Sequence, residues 1–344
     1  MLLPSYRKIA FLERELFEMS IRLGQAIDSL KPARTHEEIL SSLEGTVKGQ
    51  ELEQALAGAV ARLEAAVGSL KPARTHEEIL SSLGEVKDEI LKDNIRCRWQ
   101  VLDAMDGLLY PPTYPVKCLI CGHEAPKSSY EVKMSECIYS GGRLERFVCP
   151  DCGCIFGPLK ILSMDERQLA AEYRQSYAVY PEWDTTVLEL AAFEALNPDK
   201  GGTYLNYGAG AWNKTTAQLR EKGWNVYDYE PYAPAQANAW VFKSFDEVRK
   251  MRFDGLFSND LIEHLRHPTD DLRSMASLLK EGGRMVHGTR CYDYAYEFTR
   301  FHLFFPVGGS LDRLAANAGL RARFVEHPAI VPYPHAKLCE FTKL

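Results

Sequence analysis

Two groups of residues in this chain have the types and spacing to do chemistry. Cys118, Cys121, Cys149 and Cys152 form two CxxC pairs, CLICGHE and CPDCG, each followed at once by a glycine. A turn of this kind aims backbone amides at thiolate sulfurs, and two such turns build a closed tetrahedral site for a structural Zn(2+) with no open coordination position. Cys154, Cys137 and His123 are lesser candidates for the same ion. The second group lies in TYLNYGAGAWNKTTAQLREKGWNVYDYEP, residues 203–231, where Gly208 and Gly210 free the backbone to turn sharply and let a ligand come into contact. Glu230 stands twenty positions after Gly210. At that separation the acid ending the second strand of a βαβ unit meets ribose hydroxyls bound over the first loop.

The elements that must position these residues can be read from the hydrophobic pattern. Residues 204–207 form a β-prone run, 214–222 a helix that Gly223 would stop, and 224–229 a second strand. A dinucleotide fold wants a third glycine where this chain has Asn213, so a bulky ligand phosphate is disfavoured. Residues 239–242 make a third strand with Phe245 and Asp246 at its end. FDGLFSNDLIEHLRHP, residues 253–268, reads as a buried strand over 253–257, a mouth at Ser258, Asn259 and Asp260, and a helix turn over 261–265. Ligands of open α/β sheets bind outside the carboxyl ends of strands, so this mouth faces the same crevice as Gly208. A glycine turn and fifth strand follow over 278–289, a helix over 311–318, and closing strands over 321–326 and 337–343.

In order and spacing, the stretch from about Asp184 to Leu344 resembles the class I S-adenosylmethionine-dependent methyltransferases. The resemblance implies an α/β fold, a Rossmann-like seven-stranded sheet with S-adenosylmethionine as cofactor. Tyr207, Gly208, Ala209 and Gly210 would cradle the methionine end. Glu230 and Pro231 would lie at the ribose, Asp246 at the adenine, and Asn259, Asp260 and Leu261 in the facing mouth. The family usually has an acid where this chain has Asn206, and often a glycine where it has Trp212. Glu230 is therefore expected to be the main charged contact.

Methyl transfer to a hydroxyl needs alignment and removal of a proton. His264, beside the expected cleft, is the leading base, with His302 and Tyr296 as rivals. CYDYAYEFTRFHLFFP, residues 291–306, would set Tyr292, Tyr294, Tyr296, Arg300 and His302 over the acceptor, while Phe301, Phe304 and Phe305 pack as core. Its RFHLFF run resembles a segment of sugar and small-molecule methyltransferases, and aromatic faces with polar tips suit a sugar ring. Between the cysteine pairs, strands over 130–134 and 144–148 with a turn at Gly141 and Gly142 suggest a zinc ribbon.

The N-terminal third is a helical arm. Ile9, Leu12, Leu16, Met19 and Leu23 step at heptad spacing, a second seam runs from Leu56 to Leu70, and a third joins Ile79, Leu83, Val86 and Ile90, with Asn94 on the same line. Such narrow stripes predict a homo-oligomer joined through a coiled coil or bundle. SLKPARTHEEILSSL occurs at 29–43 and again, unchanged, at 69–83. In each copy a proline breaks one helix and a Thr-x-x-Glu box starts the next. The expected layout is an α-helical coiled-coil region over 1–109, a zinc ribbon over 110–160 and the methyltransferase sheet over 161–344. An aromatic group, Tyr173, Tyr177, Tyr180 and Trp183, precedes the sheet and either covers the cofactor or packs as core.

A formal charge of −6 and pI near 5.9 argue against nucleic acid or an anionic membrane as partner. No apolar run reaches the roughly 18 residues of a membrane span, and the first residues lack a signal-peptide core. A cytoplasmic location is expected. Nine cysteines, an odd number with four of them in CxxC pairs, suit metal ligation better than a disulfide framework. The leading reading is methylation, on oxygen or carbon, of a sugar, nucleotide-sugar or glycan by an enzyme assembled through its helical arm; the coupling of such an arm to a methyltransferase also resembles bacterial polysaccharide-capping systems, where the arm is a spacer. The alternatives are an RNA or protein methyltransferase, and an oligomeric scaffold that no longer turns over.

Overall fold

Burial sorts the hydrophobic runs of this chain into alternating strands and helices. The computed structural model describes residues 76–344 except 182, 211–213 and 232–238. The first two heptad seams, the first copy of the repeat, Trp212 and Asn213 lie outside the described residues, as do the side chains of Ile79, Leu83 and Val86. The described residues open with α1 (His76–Leu109), then β1 (Pro115–Lys117), β2 (Glu124–Pro126), β3 (Glu131–Glu136), β4 (Arg143–Val148) and β5 (Ile155–Phe156). Helices α2 (Leu159–Leu162), α3 (Glu166–Tyr177) and α4 (Thr186–Ala195) follow. Next come β6 (Thr203–Tyr207), α5 (Lys214–Glu221), β7 (Asn225–Tyr229), β8 (Val241–Phe242), α6 (Phe245–Val248) and β9 (Phe253–Asn259). The remainder is α7 (Pro268–Ser277), β10 (Leu279–Thr289), β11 (Phe304–Phe305), α8 (Ser310–Asn317), β12 (Leu320–Val325) and β13 (Lys337–Lys343).

These elements fall into two compact units. The described part of one comprises residues 76–104, 139–142 and 166–181; the other holds 105–138, 143–165 and 182–344. In the first, Leu91, Ile95 and Trp99 are buried along one face of α1 at four-residue steps. This buried line runs one position round from Ile90 and Asn94 of the expected third seam, which are half-buried. The reason is Trp99, whose indole N–H donates to Glu172 of α3 at 3.2 Å while Arg98 pairs with the same buried carboxylate. A large ring with one polar atom to satisfy decides which face of the helix turns inward. Tyr180 closes this unit through a hydroxyl contact of 2.5 Å with Ser140.

The second unit is built on a seven-stranded sheet of order β12-β13-β10-β9-β6-β7-β8. Strands β6 to β10 run parallel, and β13 enters antiparallel between β10 and β12. This is the expected Rossmann-like sheet with its antiparallel finish. Phe193 of α4 fills its centre, with ring centroids 5.2 Å from Tyr204, 5.1 Å from Trp224 and 5.3 Å from Phe257. Two expectations shift in detail. The turn after β9 is a single 3-10 turn, Ile262–His264, and β10 starts directly after α7, its pairing with β9 slipping where Gly282 takes a left-handed φ of 74°. Because the order reverses at β6, the chain leaves the edge strand β8 and returns on the other side as β9. The carboxyl ends of β6 and β9 therefore open onto one crevice.

A four-stranded sheet, β11-β5-β4-β3, lies in the same unit. Strands β3 and β4 fall where strands are expected over 130–134 and 144–148, β5 adds a third, and the fourth comes from beyond β10: Phe304 pairs with Phe156 and Phe305 with Ile155. Arg146 of β4, fully buried, donates to the Thr299 carbonyl at 2.8 Å and to the His302 carbonyl at 3.3 Å.

Asp228 gives this fold a measurable pH signature. It is buried on β7, accepting from the Thr216 hydroxyl at 2.9 Å, with Arg220 beside it. Burial outweighs both partners and pushes its carboxyl up to about 6. A carboxyl whose folded value is raised favours folding when protonated; that contribution is full below the ordinary value of 3.8 and is lost as pH rises through about 6. The Asp228→Asn variant, which cannot ionise, should therefore gain on the parent by roughly 2–3 kcal/mol as pH rises across that window. Denaturant unfolding at a series of pH values measures the difference, and a constant gap would refute the assignment.

Candidate active site

Steric exclusion brings the two strand mouths together. Gly208, at the end of β6, has φ 76°, and a Cβ there would stand 2.7 Å from Cδ1 of Leu261 in the mouth of β9. Only a residue without a side chain lets Leu261 approach the loop this closely. The loop amides are ordered by the neighbouring strand: Gly208 and Ala209 N–H both donate to the Tyr229 carbonyl, at 2.9 and 3.3 Å, and Gly210 N–H donates to the Glu230 carboxylate at 3.0 Å. Glu230 is thus set at the loop as its spacing predicts. Tyr207 packs at a tilt against Tyr229, with centroids 4.6 Å apart, and its hydroxyl is pushed well above the usual range by burial.

Across the crevice, Asp260 adopts φ 49°, its N–H donates to the Gly288 carbonyl at 2.8 Å, and its carboxylate accepts from the Asn259 amide at 2.8 Å. Burial raises the Asp260 carboxyl to about 6 despite the opposing charge of Arg290. Pro231 is exposed at the edge of the described strand end. Asp246 is largely exposed and paired with Arg249 in its own turn at 3.2 Å.

The acid missing at Asn206 is supplied in space by another element. Asn206, buried beneath the loop, donates its amide to Glu189 of α4 at 3.1 Å, and the Thr185 hydroxyl donates to the other carboxylate oxygen at 2.7 Å. The negative charge of Glu189 also raises Asp260. The sequence does hold one sign of this. Glu189 lies one helical turn before the buried Phe193, so an acid sits on the inward face of an otherwise apolar helix. Glu189, Glu230 and Asp260 therefore lie about a loop that has no room for a side chain at position 208. This set suits a ligand that carries positive charge and ribose hydroxyls but no phosphate, which is the chemistry of S-adenosylmethionine.

Beyond Asp260 the buried polar residues continue. The Glu263 carboxylate accepts from the Thr289 hydroxyl, and burial with the nearby Asp260 charge pushes Glu263 up to about 8. His264 and His302 meet at an angle, centroids 5.0 Å apart, and burial lowers His264 to about 4 and His302 well below its usual value. Both rings are neutral at pH 7. Nδ1 of His302 lies 2.8 Å from the Tyr296 carbonyl and 3.3 Å from Cys291 Sγ. The Arg290 guanidinium lies 4.5 Å from the Tyr296 ring centre. Arg300 is fully buried and donates to Cys137, and Tyr292 is buried with its hydroxyl on the His287 carbonyl. Of the five residues expected over the acceptor, Tyr294, Tyr296 and His302 keep partial exposure. Phe301, Phe304 and Phe305 are core, as expected.

The cysteine pairs fold as two copies of one turn. Gly122 N–H donates to the Cys118 carbonyl at 3.1 Å and Gly153 N–H to the Cys149 carbonyl at 2.9 Å, with both glycines left-handed. The four sulfurs lie within 4.8 Å of one another, with Cys118 to Cys152 at 3.7 Å and Cys121 to Cys149 at 3.4 Å. A tetrahedral zinc ion needs sulfur pairs about 3.8 Å apart. His123 is engaged by Asp151 at 3.0 Å and Cys137 by Arg300 at 3.2 Å, while Cys154 is buried with its sulfur 3.7 Å from the Ile155 carbonyl.

Residues 172–330 match the family model of a methyltransferase domain. Over these residues the chain carries a methyltransferase domain of the S-adenosylmethionine-dependent kind. It is similar in structure to the 1,6-didemethyltoxoflavin-N1-methyltransferase of Burkholderia thailandensis, at 18% identity over 58% of this chain and 95% of the other, with a TM-score of 0.40. It is also similar to CalO1, a methyltransferase in calicheamicin biosynthesis, at 13% identity over 99% and 98% with a TM-score of 0.41, and to the mitomycin 7-O-methyltransferase MmcR, at 13% identity over 99% and 97% with a TM-score of 0.42. At these scores the likenesses say nothing about this chain's acceptor. No curated protein matches the chain. Among the described residues no helix is long and apolar enough to cross a membrane.

If Glu189 supplies the charge beneath the loop, Glu189→Gln should weaken S-adenosylmethionine binding about tenfold or more, by loss of one charged contact. Titration calorimetry measures this, with circular dichroism to confirm the fold. An unchanged dissociation constant would leave Glu189 as a helix anchor only.

Proposed function

We propose that this methyltransferase modifies a sugar, nucleotide-sugar or growing glycan, on oxygen or carbon. The supporting observation is the acceptor side of the crevice. Tyr296, held at φ 60° with Arg290 over its ring and Phe298 beside it at 5.1 Å, offers an aromatic face edged by polar groups, next to His302 and His264. Such a surface stacks on a pyranose and hydrogen-bonds its hydroxyls.

In this reading the glycine loop from Tyr207 to Gly210 holds the methionine end, Glu230 takes the ribose hydroxyls, and Asn259, Asp260 and Leu261 close the facing side. Bound there, S-adenosylmethionine supplies an electrophilic methyl group. The work of the protein is then to hold the acceptor in line and to take its proton. His264 is neutral at pH 7 and is the ring assigned to take that proton; His302 already has Nδ1 engaged, and Tyr296 serves by stacking. The four clustered thiolates hold a structural Zn(2+), and the N-terminal arm joins copies of the chain or spaces the enzyme along a polysaccharide. The setting is cytoplasmic.

Incubation of the full chain with methyl-labelled S-adenosylmethionine and a panel of nucleotide-sugars and glycans, read by mass spectrometry, should show label on a saccharide. Label only on RNA or protein would overturn the acceptor class. His264→Ala should lower turnover on the order of 10²-fold with cofactor affinity unchanged; full turnover would remove the base role. Glu230→Ala should raise the cofactor dissociation constant about tenfold or more through loss of the ribose contact, as calorimetry reports.

A further inference from the structure

The cysteine pairs are one of two places among the described residues where three or more metal-binding side chains converge. The other is built from parts of the chain far apart in sequence. Glu263 lies on the turn after β9, Cys291 just past the end of β10, and His302 two residues before β11. One donor atom from each lies within 4.8 Å of the others. Cys291 is fully buried and Glu263 nearly so. Three features make this a built arrangement. Cys291 N–H donates to the Thr289 hydroxyl at 3.0 Å, and that same hydroxyl donates to Glu263 Oε1, so one threonine fixes both ligands. Leu303 N–H donates to the Glu263 carbonyl at 2.8 Å, and Arg146 holds the His302 carbonyl, which fixes the third. The second oxygen of Glu263, Oε2, is buried with no hydrogen-bond partner. A buried carboxylate oxygen left without a partner costs free energy, and a cation is one way to satisfy it.

We propose that Glu263, Cys291 and His302 bind a second divalent transition-metal ion of the zinc type. The distance from Cys291 Sγ to His302 Nδ1, 3.3 Å, is close to the edge of about 3.5 Å set by usual zinc–sulfur and zinc–nitrogen lengths in a tetrahedron. The donor set selects the metal, because thiolate and imidazole suit zinc or cobalt, whereas magnesium and calcium want oxygen throughout. Charge balances as well: carboxylate and thiolate neutralise the dication, and the imidazole is neutral. On binding, Cys291 gives up its thiol proton to solvent and His302 carries its proton on Nε2, leaving the Nδ1 lone pair for the ion. The hydrogen bond from Nδ1 to the Tyr296 carbonyl belongs to the metal-free form. Three protein ligands leave one coordination position open, unlike the closed four-thiolate site. His302 is then a ligand, which leaves His264 beside it as the base.

The test is a metal count on the full-length protein. Protein expressed with zinc supplied and dialysed against metal-free buffer should carry two zinc ions per chain by mass spectrometry of the metal. Cys291→Ala and His302→Gln should each lose one ion and keep the other. Two ions in both variants, or a single ion in the parent that both variants keep, would overturn the site. A single ion lost in both variants would support it and instead refute zinc at the cysteine pairs. X-ray absorption on the parent protein needs no variant: a mixed shell of sulfur with nitrogen or oxygen is expected, and sulfur alone would overturn the proposal.

Discussion

The close approach of Leu261 to Gly208 is the contact on which the site depends. It ties the end of β6 to the mouth of β9, two strands that are neighbours in the sheet but separated by some fifty residues of sequence. Any side chain at 208 would push Leu261 away and open the crevice. Asp260, one residue earlier, is held at its left-handed φ by a bond to Gly288 on the next strand, so the mouth is fixed from both sides. Strained backbone of this kind persists where the surroundings over-determine it.

Much of this was legible in the sequence. The glycine loop, the acid twenty residues on, and the paired CxxC turns are local patterns, and local patterns survive folding because backbone geometry sets them. The succession of the seven strands along the chain was also readable, since each carries its own hydrophobic run. What could not be read were contacts between elements distant in sequence. Asn206 looked like a lost charge, yet the charge arrives from Glu189 one helix earlier. In α1 the heptad rhythm drew attention to Ile90 and Asn94, while the face buried within the chain is the adjacent one, set by a tryptophan whose single polar atom bonds Glu172. Tyr292 and Arg300 read as acceptor contacts because aromatic and charged residues cluster there; burial withdraws both.

The electrostatics of the crevice are coupled. Glu189, Asp260 and Glu263 gather negative charge in a region sheltered from water, and each raises the cost of ionising the next. Arg290 and the Asn259 amide counter this at Asp260. A ligand or ion bringing positive charge is therefore received by a site that already holds more negative charge than it can comfortably ionise.

The strand β11 has one more consequence. Because the sheet beside the cysteine turns takes its last strand from the far end of the sequence, the cysteine stretch cannot be exchanged between proteins as a cassette. Removing it would strip β11 of its partner and expose Phe304 and Phe305 along an unpaired edge, the kind of surface on which chains pair with one another. Such a deletion would endanger solubility first. Its lineage is then expected to keep or lose the two stretches together, and a transplanted catalytic half would need a substitute strand in the same place.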